Sequence, residues 1–226
     1  MKAMILAAGL GTRLQPLTLC QPKPLIKVAG DMLIAHHLRA LAAAHIKDIV
    51  INVYYLAEKI QNVLGDGSAY GVNIQYSVEE RLLGTGGGIY NALEYLGPEP
   101  FILLSADIWH HYPLQQLPHT LKGLAHLVMV DNPPFHPKGD YHLKEGMLNL
   151  EQEPRLNYGG IAIIDPFLFN GTNLKTAELG PLLVKAIRAG QVSGEHYTGC
   201  WFNIGTQAEL AAADAYYQQH YPGSIS

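Results

Sequence analysis

The residues best suited to chemistry stand at the start of the chain. An apolar run over residues 3–7 has the character of a buried strand, and it delivers the backbone straight into Gly9-Leu10-Gly11-Thr12-Arg13. Gly9 and Gly11 can adopt positive φ and leave their N–H groups uncovered. Thr12 adds a hydroxyl, and Arg13 a guanidinium that can hold a phosphate through two parallel bonds. A loop of this composition is suited to a polyphosphate. A second cation, Lys23, stands between Pro22 and Pro24, whose fixed φ restricts the backbone around its flexible stem. Further on, Asp107 closes an apolar stretch at 101–104. A carboxylate at the end of a buried central strand costs several kcal/mol of desolvation unless it is paired or metal-bound, so Asp107 is the best single metal-ligand candidate; a helix-capping aspartate is the competing reading.

Two common phosphate motifs do not fit the first loop. A Walker A loop needs Lys and then Ser or Thr after its second glycine, and the dinucleotide fingerprint needs a third glycine where Leu14 stands. A second glycine run, Gly84-Thr85-Gly86-Gly87-Gly88, precedes a helical pattern at 89–96 and is expected to offer a loop of bare N–H groups at a helix N-terminus.

What residues 6–18 do match is L-A-A-G-x-G-T-R-L-x-P-L-T, followed by P-K-P-L at 22–25, and this resembles the signature of the sugar-1-phosphate nucleotidyltransferases. The likeness covers nearly the whole chain, through the second glycine run, Asp107 and Trp201-Phe202-Asn203-Ile204-Gly205-Thr206. Within the family, Thr85 to Gly88, Asp107-Ile108-Trp109, Lys138-Gly139-Asp140 and Ser193-Gly194-Glu195-His196-Tyr197 are most similar to the N-acetylmuramate 1-phosphate uridylyltransferases, which serve cell-wall recycling. The resemblance implies a Rossmann-like three-layer α/β sandwich with a mostly parallel central sheet. It also implies a reaction in which a sugar 1-phosphate attacks the α-phosphorus of a nucleoside triphosphate, here UTP, and releases pyrophosphate with the help of Mg²⁺.

The same resemblance implies roles for individual residues. Arg13 serves the triphosphate and pyrophosphate, Lys23 the α-phosphate and sugar phosphate, and Asp107 with Asn203 the metal. Ala8, Gly9, Gly11, Thr12, Glu79 and Gly84 join the nucleotide site, with Glu79 read as an exposed loop residue that either accepts from a uracil N–H or is merely solvated. Gly139, Asn157 and Gly159 fall on the sugar side. Two departures stand out: Asn203 occupies the place of the usual Asp, which predicts weaker metal binding, and Gln152-Glu153-Pro154 lacks the lysine of the related E-K-P element. A mannose-1-phosphate guanylyltransferase, a glucose-1-phosphate thymidylyltransferase and a non-catalytic nucleotide-sugar-binding regulatory protein remain as alternatives. Nucleotidyl transfer itself needs no general base, because a phosphate monoester with a second pKa near 6 is largely dianionic at pH 7. It needs in-line positioning and charge neutralisation.

Strand and helix patterns alternate through the first half. Strands are expected at 3–7, 25–28, 48–53, 72–76 and 101–104, with helices at 32–44, 57–64 and 89–96 between them. This order predicts a mostly parallel sheet whose carboxyl-end rim carries both glycine runs and Asp107. The second half is less regular: strands at 124–131 and 158–164, a hairpin over 140–150 turning at Glu145-Gly146, and helices at 177–189 and 207–217 before a polar tail. A single domain over 1–226 is expected, with a nucleotide half to about 107 and a sugar half beyond it.

Composition narrows the partners. A formal net charge of -4 with 15 Lys and Arg argues against a nucleic-acid surface, and no apolar run approaches a membrane span. Two cysteines, Cys20 and Cys200, are read as free thiols in a reducing cytoplasm. The paired histidines, His36-His37 and His110-His111, lack helical metal spacing and are expected to be solvated or capping. Tyr216 and Tyr217 are expected to pack a helix against the core.

Overall fold

A computed structural model describes residues 1–171 and 177–221; the polar tail beyond lies outside the described residues. The elements in order are β1 (Ala3–Leu6), β2 (Lys27–Val28), β3 (Asp31–Met32), α1 (Leu33–Ala43), β4 (Asp48–Val53), α2 (Ala57–Leu64), β5 (Asn73–Val78), α3 (Gly84–Leu96), β6 (Phe101–Ser105), β7 (Ile108–His110), β8 (Ala125–Val130), β9 (His142–Lys144), β10 (Met147–Asn149), β11 (Asn157–Ile164), α4 (Leu179–Arg188), β12 (Val192–Tyr197), β13 (Trp201–Asn203) and α5 (Gln207–His220). No helix among the described residues is long and apolar enough to cross a membrane.

Nine strands form one sheet in the order β5-β4-β1-β6-β11-β8-β12-β10-β9. The first four are parallel neighbours, β11 runs against both β6 and β8, and β12 is parallel to β8. The sheet is therefore mixed with a mostly parallel centre, and strands preceding residue 107 make up one side of it. β1 lies between β4 and β6, strands reached in opposite directions, and this reversal opens a crevice at its carboxyl end.

Strand alternation supplies two cores. Ala3 and Ile5, Ile49 and Ile51, and Ile102 and Leu104 face α1 and α2, where they meet Ile34, Leu38, Leu41 and Ile60. Met4, Val50, Phe101 and Leu103 face the other way onto Ile89, Ala92 and Leu96 of α3 and Leu182, Leu183 and Ile187 of α4. These make the three expected layers. A third cluster joins Leu14, Val28, Leu33, Trp109 and Ile204 to α5, with Tyr216 and Tyr217 packed against it as expected.

Several boundaries differ from the expectation. The strand at 25–28 shortens to β2, since Lys23–Leu25 form a 3₁₀ turn. The small β7–β13 pair, with Asn203 opposite Ile108, has too few residues to show a period. The hairpin at 140–150 is β9–β10, and Glu145 and Gly146 both take positive φ, the requirement of a two-residue I′ turn.

Candidate active site

The crevice at the end of β1 is a cleft of about 380 Å³, floored by Leu6 to Gly9 and walled by the loop through Arg13. Gly9 has open space where a Cβ would sit. Gly11 is held at φ 64, and a Cβ there would meet Thr18 Cγ2 at 2.9 Å and Lys23 Cβ at 3.2 Å, so only glycine fits. Thr18 is buried and donates from Oγ1 to the Gly11 carbonyl at 2.8 Å. These contacts explain why the leucine-rich segment and Pro22-Lys23-Pro24 follow at fixed spacing: they fold back under the glycine loop and bring Lys23 into it. Leu14, fully buried, anchors the turn that presents exposed Arg13.

Lys23 Nζ lies 3.0 Å from Asp107 Oδ2, with 12% and 39% of the two side chains exposed. Asp107 sits at the corner between β6 and β7, and its carbonyl accepts from the Ile204 N–H at 2.7 Å, which brings the end of β13 and Asn203 to the same corner. Gly205 then lies within contact of Arg13 and Asn203: a Cβ on it would be 2.9 Å from Arg13 Nη2 and 2.9 Å from Asn203 Nδ2.

Glu79 departs from the exposed-loop reading. It is 4% exposed, and its two oxygens accept from Asn52 Nδ2 at 2.7 Å and the Leu83 N–H at 3.0 Å. Asn52 Oδ1 in turn accepts from the Ala7 N–H at 2.9 Å. This chain of bonds ties β1, β4 and the start of α3 together while Glu79 still borders the cleft. Burial is tolerable because both carboxylate oxygens are satisfied.

The second glycine run also differs from the expected loop: it is the first turn of α3 itself. Gly86 admits the Glu178 backbone, with a Cβ 3.0 Å from its carbonyl carbon, and Gly88 admits the Asn52–Glu79 pair, with a Cβ 2.7 Å from each. Helix can therefore form through four glycines because close neighbours compensate their poor propensity. The N-terminus still reaches the cleft through Gly84 and Thr85. Thr85 Oγ1 donates to Glu178 Oε2 at 2.7 Å and accepts from the Leu179 N–H at 2.8 Å, so α3 and α4 are clasped beside the cleft.

All of Ala8, Gly9, Gly11, Thr12, Arg13, Lys23, Glu79, Gly84 and Asp107 line one cleft. Asn203 stands at its margin through Gly205. The three sugar-side residues are not brought into it: Gly139 packs on Asn132 and Arg155, Asn157 donates to the Tyr158 carbonyl at 3.0 Å, and Gly159 sits in a bulge of β11 where its carbonyl accepts from Trp201 Nε1 at 2.8 Å. Unforeseen lining residues include Asn52, Ser105 and Glu178, whereas Thr85 and Gly205 belong to stretches singled out from the sequence. Of these, Asn52 carried a signal, as the polar residue inside the apolar run Ile49-Val50-Ile51-Asn52-Val53.

Two of the four paired histidines depart from the solvated-or-capping reading in being buried; His111 is exposed as expected, and His110 Nδ1 accepts from the Tyr112 N–H at 3.1 Å, a capping contact. His37 and His110 are buried at 1% and 8% exposure, with rings 5.4 Å apart. Burial, reinforced by His36, pushes His37 down to about 4, and burial also holds His110 well below the usual imidazole range.

Residues 2–146 match the model of the nucleotidyl transferase family. The chain is 42% identical to an N-acetylmuramate alpha-1-phosphate uridylyltransferase of Neisseria meningitidis, over 95% of this chain and 97% of that protein. It is 31% identical to a mannose-1-phosphate guanyltransferase of Neurospora crassa, over 96% of this chain but 64% of that protein. The fold is shared with a Bacillus anthracis structure assigned as a glucose-1-phosphate thymidylyltransferase, at TM-score 0.85 and 21% identity over 96% and 95% of the two chains.

Proposed function

Because the chain belongs to the nucleotidyl transferase family, we propose that it transfers the uridylyl group of UTP to N-acetylmuramate 1-phosphate, releasing pyrophosphate. The observation that carries the choice of substrates is the 42% identity to the uridylyltransferase along nearly the full length of both chains.

The cleft supplies the parts of such a transfer. Backbone N–H groups from Gly9 to Thr12 cradle the triphosphate, and Arg13 takes the charge of the β- and γ-phosphates as they depart. Lys23 stands between the α-phosphate and the incoming sugar phosphate, where an ammonium on a restrained backbone relieves repulsion between two anions. Asn52 and Glu79 hold the wall against which the base lies. The sugar lies beyond Asp107, toward Gly159, Asn157 and Gly139.

Asp107 and Asn203 are the residues that would hold Mg²⁺. The donor set fits: one carboxylate and one amide carbonyl, both hard oxygen donors, leave the remaining ligands to substrate phosphates and water, the usual way this ion is bound. When bound, the ion supplies charge neutralisation at the phosphates. Lys23 pairs with the same carboxylate at 3.0 Å.

Pyrophosphate release from UTP, dTTP and GTP, each with N-acetylmuramate, glucose and mannose 1-phosphates, tests the assignment. Turnover should be highest for UTP with N-acetylmuramate 1-phosphate. A guanylyl preference for mannose 1-phosphate would favour the reading supported by the 31% identity to the guanyltransferase, and binding without turnover across all pairs would sink both.

A further inference from the structure

Three polar side chains from three separate elements converge on Gly205. A Cβ there would lie 2.9 Å from Arg13 Nη2, 2.9 Å from Asn203 Nδ2 and 3.0 Å from Glu209 Oε2. Glu209 is the only anion of the three, and its position is fixed from within α5. Oε2 accepts from the Gly205 N–H at 2.8 Å, while its own N–H donates to Oγ1 of the N-cap residue Thr206 at 3.2 Å. This is a capping box displaced by one residue, and it consumes one lone pair of one carboxylate oxygen. The Arg13 side chain makes no hydrogen bond or ion pair among the described residues, Glu209 included, so the carboxylate faces the guanidinium across Gly205 and acts on its long, flexible stem through space rather than by contact.

We propose that Glu209 is a positioning residue: capped in place at the start of α5, its charge holds the Arg13 guanidinium at the phosphate end of the cleft. The inference rests on the reading of Arg13 as a phosphate-binding residue. Glycine at 205 is part of the device, since any side chain would stand between the carboxylate and the guanidinium. A carboxylate close to a polyanion site weakens the attraction for that polyanion. A carboxylate at this place serves turnover if orientation of Arg13 matters more than affinity for the triphosphate does.

Glu209→Gln keeps an acceptor for the Gly205 N–H and removes the charge. With UTP and N-acetylmuramate 1-phosphate it should lower kcat about 10-fold, on the scale of a misplaced catalytic group, with KM for UTP unchanged or lower and an unaltered melting temperature. In an Arg13→Ala background the same change should alter kcat less than about 2-fold, because the two residues act as one unit. Thr206→Ala removes the other half of the cap without touching the charge; it should melt earlier and lower kcat by less than Glu209→Gln does, since the Gly205 N–H still holds the carboxylate. Equal losses from Glu209→Gln with and without Arg13, no loss at all, or a matching kcat loss in Thr206→Ala would overturn the proposal. Wild-type turnover in Arg13→Ala alone would instead remove the premise about Arg13.

Discussion

Lys23 and Asp107 pair at 3.0 Å, which restrains the ammonium at the place where two phosphates would meet. Arg13 has no ion-paired partner among the described residues; Glu209, facing it across Gly205, is the charge proposed to hold it. Both cations can stabilise charge that develops on the phosphates, so Arg13→Ala and Lys23→Ala should each lower kcat by roughly 10² to 10³, measured by steady-state pyrophosphate release. Near-wild-type turnover in both variants would refute these roles. His37 makes a different prediction. Its ring nitrogens form no well-made hydrogen bond among the described residues, and burial holds it neutral, down to about 4 against 6.5 for the free side chain. The unfolded chain therefore binds the extra proton first, and the native state loses stability as pH falls from about 6.5 toward 4. His36, His110 and Asp107 face the same region, and of these Asp107 opposes the shift. His37→Leu should flatten that acid limb in urea unfolding between pH 7 and 4.5, and an unchanged slope would assign the acid sensitivity to other groups.

At the scale of elements, α3 shows how much was legible and why the rest was not. A helix at 89–96 is visible from its apolar spacing. Its first turn is not, because four glycines have poor helical propensity and only the packing of Ala177–Glu178, Asn52 and Glu79 against them makes that turn stable. Glu79 was misjudged for the same reason, since its partners Asn52 and Leu83 come together only in the fold. The shape of the first loop was largely legible, because its glycines, Thr18 and Lys23 are neighbours in sequence as well as in space, although only Gly11, and not Gly9, takes positive φ. Two glycines separate packing from propensity. Gly88→Ala, whose Cβ would sit 2.7 Å from Asn52 Nδ2 and Glu79 Oε1, should cost about 1–3 kcal/mol of unfolding free energy. Gly180→Ala in α4, with open space around its Cβ, should be neutral or stabilise by about 1 kcal/mol. Equal effects at both sites would mean that the close approach at Gly88 relaxes without loss.

Over the whole molecule, the parallel strands β5-β4-β1-β6 were readable from alternating strands and helices, whereas β7, β12 and β13 were not. β7 and β13 are short, and their pairing joins residues about ninety positions apart, which local periodicity cannot report. Yet this small pair connects the cleft to the third apolar cluster. Trp109 in β7 is 1% exposed, two residues from Asp107, and packs on Phe202, Tyr216 and Tyr217 with ring centroids 5.7 to 6.2 Å apart. Through it α5 is fixed to the corner that carries Asp107 and Asn203. Leu41, at 0% exposure near the far end of α1, belongs to the main core instead. Leu41→Ala and Trp109→Ala should both lower unfolding free energy, by about 2–5 and 3–5 kcal/mol respectively. Their consequences for catalysis should part: with a folded sample at low temperature, Leu41→Ala should keep the KM for UTP, while Trp109→Ala should raise it and lower kcat, because the α5 side of the cleft loses its support. The comparison is made at matched folded fractions, set by circular dichroism, so that lost protein is not mistaken for lost activity. If both variants kept wild-type kinetics, α5 would be fixed well enough by its remaining contacts, and the third cluster would serve stability alone.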